Sequence, residues 1–130
     1  MSSELVLGEM VKKSLGELER AILATPDGVL LAASNPSDID DIVAALGAAV
    51  VAGVGDAFKQ YFSTGVRNVV TELEDGRVVM MRDLGAAVLC LVTKPRPNLG
   101  LVYLLMDRYS EKVLASVKAG TGAPVSGGTG

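Results

Sequence analysis

Histidine is absent from this chain. With it go the commonest general base, the imidazole-based serine and cysteine triads, and most zinc sites. Cysteine is limited to Cys90, so no intrachain disulfide can form. Cys90 stands in the apolar run Ala87–Val92, where it reads as a small buried hydrophobe, and nothing asks for an oxidising compartment. Aromatic residues make up only 4% of a chain that is 49% hydrophobic, so any core must be built from Val, Leu, Ile and Ala. Positive charge is not in excess. A formal net charge of −3 argues against a general nucleic-acid binder, which carries a basic footprint. Long hydrophobic runs are missing too: the longest uncharged stretch, positions 42–55, is too short to span a bilayer. Met1-Ser2-Ser3-Glu4 has neither the basic region nor the following apolar core of a signal peptide. The expectation is a cytoplasmic protein without a membrane span. Its 130 residues suit one domain that buries roughly two-thirds of its unfolded surface.

Motifs that carry chemistry are equally scarce. There is no P-loop. Gly53-Val54-Gly55 lacks the third glycine of a dinucleotide fingerprint and falls inside a helical stretch. Asp38, Asp40 and Asp41 lack the glycine and closing glutamate of a calcium loop, and carboxylates at a helix start favour its dipole anyway. Glu72, Glu74 and Asp75 read as a solvated strand end beside a turn rather than an acid/base pair. The sequence therefore predicts no catalytic residue, no metal site and no cofactor.

Periodicity gives the order α-β-β-α-β-β-β-α. Leu7, Val11 and Leu18 recur near helical spacing, which predicts a helix over 3–15 with Gly16 as its cap. Arg20–Ala24 and Val29–Ala33 flank Thr25-Pro26-Asp27-Gly28; Pro26 presets the first turn position and Gly28 can take positive φ, so this is a hairpin. A long helix is expected over 38–63, capped by Ser37 with Asp40 near capping-box spacing, and ending near Gly65. Strands follow at 67–74, 77–82 and 86–93, with Asp75-Gly76 as a tight turn between the first two. The third is apolar almost throughout, which suits a central strand covered on both faces. Asn98 caps a last helix carrying Leu99, Val102, Tyr103, Met106, Val113 and Val117. A domain over 1–118 and a disordered Gly-rich tail over 119–130 are expected.

The long helix is the informative element. At 100° per residue, Val43, Leu46, Val50, Val54, Phe58 and Tyr61 share one face, which is expected to press on the sheet. Asp41, Ala45, Ala48, Ala52, Asp56 and Lys59 form the other, apolar but nearly flat. Gly47, Gly53 and Gly55 each cost up to about 1 kcal/mol relative to Ala in a helix. Their presence predicts close backbone approach and a helix-packing interface.

Three stretches in this order resemble the Roadblock/dynein light chain family: Leu18–Ser34 with its Asp27-Gly28 turn, Arg67–Gly76, and Asn98-Leu99-Gly100. The likeness spans about 3–118 and points to the family's prokaryotic stand-alone members, such as those found with Ras-like GTPases. It implies an α+β, Roadblock/profilin-like fold: a five-stranded antiparallel sheet, one long helix on one face and two helices on the other. It implies a homodimer joined through the third strand and the long helix, hence through Val69, Val70, Thr71, Glu72 and Leu73 and through Ala45, Ala48 and Ala52. It further implies a non-catalytic regulator or scaffold of a Ras-like small GTPase, some members raising their partner's GTP hydrolysis. Asp41, Asp56 and Lys59 would rim that contact. A partner-supplied arginine can aid phosphoryl transfer, but neither Arg82 nor Arg96 is singled out. A structural adaptor of a larger assembly is the alternative. A small-ligand sensor is disfavoured by the few aromatic and convergent polar groups available to line a pocket.

Overall fold

A computed structural model describes residues 2–122. The elements are α1 (Ser3–Lys13), β1 (Leu18–Ala24), β2 (Leu30–Ala33), α2 (Asp40–Phe62), β3 (Asn68–Glu72), β4 (Val78–Asp83), β5 (Val88–Thr93) and α3 (Leu99–Gly122). All strand pairs are antiparallel, in the order β2-β1-β5-β4-β3.

The period of two in the strands builds two cores. Ala21 and Leu23 of β1, with Leu89 and Leu91 of β5, point to the face covered by α1 and α3, where Leu7, Met10, Val102, Met106 and Val113 meet them. Ile22 and Ala24, with Val88 and Cys90, point to the face covered by α2. All six residues of β5 are buried, as its unbroken apolar character predicts for a central strand. Across the first face α1 is tied to α3: Tyr109 donates to Glu9 at 2.6 Å, and the Ser3 and Ser116 hydroxyls pair at 2.8 Å.

The β1–β2 and β3–β4 hairpins use the same three-residue loop. Thr25 N–H donates to Val29 C=O at 2.8 Å and Gly28 N–H to Thr25 C=O at 2.9 Å, with Gly28 at φ 95°. Leu73, Arg77 and Gly76 repeat this pattern at 2.8 and 3.0 Å, with Gly76 at φ 91°. Each is a turn closed by a left-handed glycine; in β3–β4 it is one residue longer than the tight Asp75-Gly76 pair expected.

Helix ends differ from expectation in explicable ways. α1 stops at Lys13, and Leu15 (φ 54°) shares the left-handed break with Gly16 (φ 89°). The α2 N-cap is Ile39, without a side-chain cap. Only half of the expected capping box forms: Ser37 N–H donates to Asp40 Oδ2 at 2.7 Å. Ser63, at φ 58°, ends α2 before Gly65 is reached, its N–H bonding Lys59 C=O at 2.9 Å. Asn98 does begin α3, accepting from Leu101 N–H at 3.2 Å. The helix then runs four residues beyond Lys118, because Gly and Thr at a helix end weaken the backbone pattern without forbidding it. The rest of the expected tail, 123–130, lies outside the described residues.

Candidate interaction surface

β3 is an open edge. It pairs with β4 over five unbroken positions, Asn68↔Arg82 to Glu72↔Val78, and with no other strand. The Leu73–Arg77 bond sets the ladder phase: Val69 and Thr71 bond β4, so the backbone groups of Asn68, Val70 and Glu72 point outward. β2, the opposite edge, has only four residues and pairs across an irregularity at Leu23/Ala24, features that blunt an edge. The sheet therefore presents one regular, unprotected edge, and it is the strand carrying Val69, Val70, Thr71, Glu72 and Leu73.

α2 is rotated from the expectation based on side-chain size: of the face expected on the sheet, Val43 and Val50 pack against the core only partly buried. Ala44, Gly47, Ala48 and Val51 are the residues buried against the sheet. Leu46 (60% exposed), Phe58 (48%), Tyr61 (78%) and Phe62 (66%) are not. The reason is close approach: a Cβ on Gly47 would fall 2.3 Å from Cys90 Sγ, and one on Gly28 would fall 3.2 Å from Ala45 Cα. Bulk on that side would lift the helix off the strands. Ala48, expected in a partner interface, is 3% exposed and belongs to the core, while Ala45 and Ala52 are exposed. Of the three mid-helix glycines only Gly47 is explained by packing; Gly53 and Gly55 meet nothing within 4 Å.

Between α2 and β3 lies an apolar groove of about 440 Å³. Ile39, Val43 and Leu46 form one wall, Thr71, Leu73 and Val79 the other, and Gly47 and Cys90 reach its floor. Burial pushes the Cys90 thiol up to about 12, so it is an inert thiol there. By length and composition alone α2 is long and apolar enough to cross a bilayer, with a mean hydropathy of 1.7. Here one side of it is packed on the sheet.

The start of α2 is fixed by a pair that local sequence does not reveal. Asp40, 2% exposed, accepts from Arg20 Nη1 at 3.0 Å, and the same nitrogen donates to Asn35 C=O at 3.0 Å. This pair gives Asp40 its structural role, and among the described residues no three His, Cys, Asp or Glu side chains group to hold a metal. Asp41, Asp56 and Lys59 are all exposed on α2; Asp56 and Lys59 border a small polar pocket shared with Asp83. The two arginines differ sharply. Arg82 is held by Asn68 (2.7 Å), Ser110 (3.2 Å) and Asp107 (2.7 Å). Arg96 is exposed, at φ 50°, with its N–H bonded to Gly76 C=O at 2.8 Å.

Residues 4–93 match the Roadblock/LC7 domain. An uncharacterised protein of Methanocaldococcus jannaschii is 26% identical over 113 residues, 82% of this chain and 95% of the relative. The Roadblock/LC7 domain of Streptomyces avermitilis has a similar structure, with a TM-score of 0.81 at 17% identity over 91% of this chain and 99% of that one. Myxococcus xanthus MglB is similar too, at a TM-score of 0.78 and 22% identity, over 90% of this chain and 95% of that one. At these identities the two structures speak for the fold.

Proposed function

Since the chain belongs to the Roadblock/LC7 domain family, we propose that it is a non-catalytic, homodimeric regulator or scaffold that binds a Ras-like small GTPase and modulates its GTP hydrolysis. The observation that carries this reading is the unprotected β3 edge beside the apolar groove. A regular edge strand flanked by exposed apolar side chains is an association surface in a soluble protein. A second copy, pairing β3 to β3, would satisfy the outward backbone groups of Asn68, Val70 and Glu72. Val69, Thr71 and Leu73 would then lie beside the seam, on the α2 side.

The dimer would set its two α2 helices on one side of a continuous sheet and offer the GTPase a broad helical face. Ala45 and Ala52 give that face close approach. Asp41, Asp56 and Lys59 supply charges that orient a partner and speed its arrival. Arg82 is committed to three partners inside the chain, so the reading asks no arginine finger of it.

The test is a titration against the Ras-like GTPases of the same organism, loaded with GDP or with a non-hydrolysable GTP analogue. Switch segments are ordered by the γ-phosphate, so one state should bind at least about tenfold more tightly. Reversing both Asp41 and Lys59 should weaken that binding and leave the dimer intact. Equal affinity for both states, or none for either, would favour the alternative of a structural adaptor without nucleotide dependence.

A further inference from the structure

Both phenylalanines and one of the three tyrosines of the chain, Phe58, Tyr61 and Phe62, occupy the last two turns of α2. The last residue of α2 buried on the sheet is Val51, so these turns overhang the sheet end. The Phe58 and Phe62 rings touch in a tilted pair with centroids 5.7 Å apart, yet they remain 48% and 66% exposed. In a chain so poor in aromatics, an uncovered cluster is costly unless something covers it. At the opposite end of β3 lies the apolar groove, uncovered as well.

The connectivity fixes which end is which. α2 leads through Ser63–Arg67 into Asn68, so its aromatic end lies at the Asn68–Arg82 end of the β3–β4 pair. The groove is lined by Thr71, Leu73, Arg77 and Val79, at the Glu72–Val78 end. A two-fold axis perpendicular to the sheet, pairing β3 antiparallel with its copy, sets the Asn68 end of one strand beside the Glu72 end of the other. It keeps both α2 helices on the same side. The aromatic end of each copy then meets the groove of the other, twice over.

We infer that Phe58, Tyr61 and Phe62 of each copy seat in the groove between α2 and β3 of its partner, as reciprocal anchors of the homodimer. The inference rests on the homodimer reading above and names the side chains that hold it. The sizes agree. Three aromatic side chains of about 150–250 Å² each, already partly covered, together with the groove that receives them and doubled by symmetry, bury on the order of 1,000 Å². That is the range a specific interface needs, before the strand pairing is counted. Large aromatic side chains in apolar pockets are also where binding energy concentrates.

The experiment is sedimentation velocity at roughly 1–100 µM, which brackets micromolar dissociation constants, on the full chain and four variants. Phe58→Ala with Phe62→Ala should weaken the dimer at least about a hundredfold. The circular dichroism of the protomer should not change, because neither ring is in its core. Phe62→Cys and Leu73→Cys, purified separately, mixed and oxidised, should give a covalent dimer that neither gives alone; native Cys90 is fully buried. A wild-type protein that is monomeric throughout would overturn the homodimer reading and this inference together. A dimer that is lost with Val70→Pro but survives the double Ala variant, without the mixed cross-link, would overturn this inference alone.

Discussion

At Gly47 the chain permits no side chain at all. An added Cβ would meet Cys90 Sγ at 2.3 Å, with Met81 at 3.9 Å behind it. Overpacking of this kind costs about 1–3 kcal/mol, while replacing Gly by Ala in a helix returns up to about 1. Gly47→Ala should therefore destabilise the fold by about 1 kcal/mol or more in urea denaturation, and Cys90→Ala in the same chain should recover most of the loss. Gly55→Ala should do the opposite and stabilise by up to about 1 kcal/mol, since its Cβ would meet nothing. Equal effects at the two glycines would remove close approach as the reason for Gly47. Glu17 is a second residue whose neighbours define it. Asn98 N–H donates to its carboxylate at 2.6 Å and Lys94 Nζ lies 3.0 Å away, and these bonds hold its pKa below the ordinary 4.5. A carboxylate whose pKa is lowered by folding stabilises the folded state above its unfolded pKa, and that contribution is lost as pH falls through the folded value. Glu17→Gln should be less stable than wild type at pH near 7, and the gap should close as pH drops below about 4.5, measured by urea midpoints across that range.

At the scale of elements, what is local was legible and what depends on distant partners was not. The strands, the two glycine-closed hairpins and the central, doubly covered β5 follow from period-two runs and turn residues a few positions apart. The facing of α2 does not. Ranking its two sides by side-chain volume puts Leu46, Phe58 and Tyr61 on the sheet, whereas Gly47 against Cys90 and Ala45 against Gly28 require the small side there. Contacts between residues distant in sequence decide this, and a hydrophobic pattern cannot see them. Arg20–Asp40, twenty residues apart, was hidden for the same reason. In α3, Leu105 and Tyr109 are buried while Leu99 and Tyr103 are exposed. β3 was legible both as a strand and, through the family resemblance, as a sheet edge. Its ladder phase yields a sharp prediction. Val70 points its N–H outward, so Val70→Pro removes no bond to β4, and proline is tolerated on an edge strand in that orientation. The variant should keep a wild-type circular dichroism spectrum and elute as a monomer. Thr71→Pro, whose N–H bonds β4, should unfold. If both variants unfold alike, the phase assigned to the ladder is wrong.

At the scale of the whole molecule, the single chain is a finished core with an unfinished surface. Two apolar clusters fill both faces of the sheet, yet α2, which alone covers one of those faces, leaves Ile42, Leu46, Phe58, Tyr61 and Phe62 exposed. If the homodimer covers them, folding and association are one equilibrium, and stability must depend on protein concentration. A hundredfold rise in concentration favours a dimer by about 2.7 kcal/mol. Spread over the unfolding entropy of two such chains, near 0.5 kcal/mol per kelvin, this is a rise in melting temperature of about 5 °C. Differential scanning fluorimetry of the wild type between micromolar and hundred-micromolar concentration should show that rise. Val70→Pro should melt at one temperature throughout, lower than wild type at the high end and converging with it at the low end. A melting temperature of the wild type that ignores concentration would mean that the exposed face of α2 is left for a partner other than a second copy.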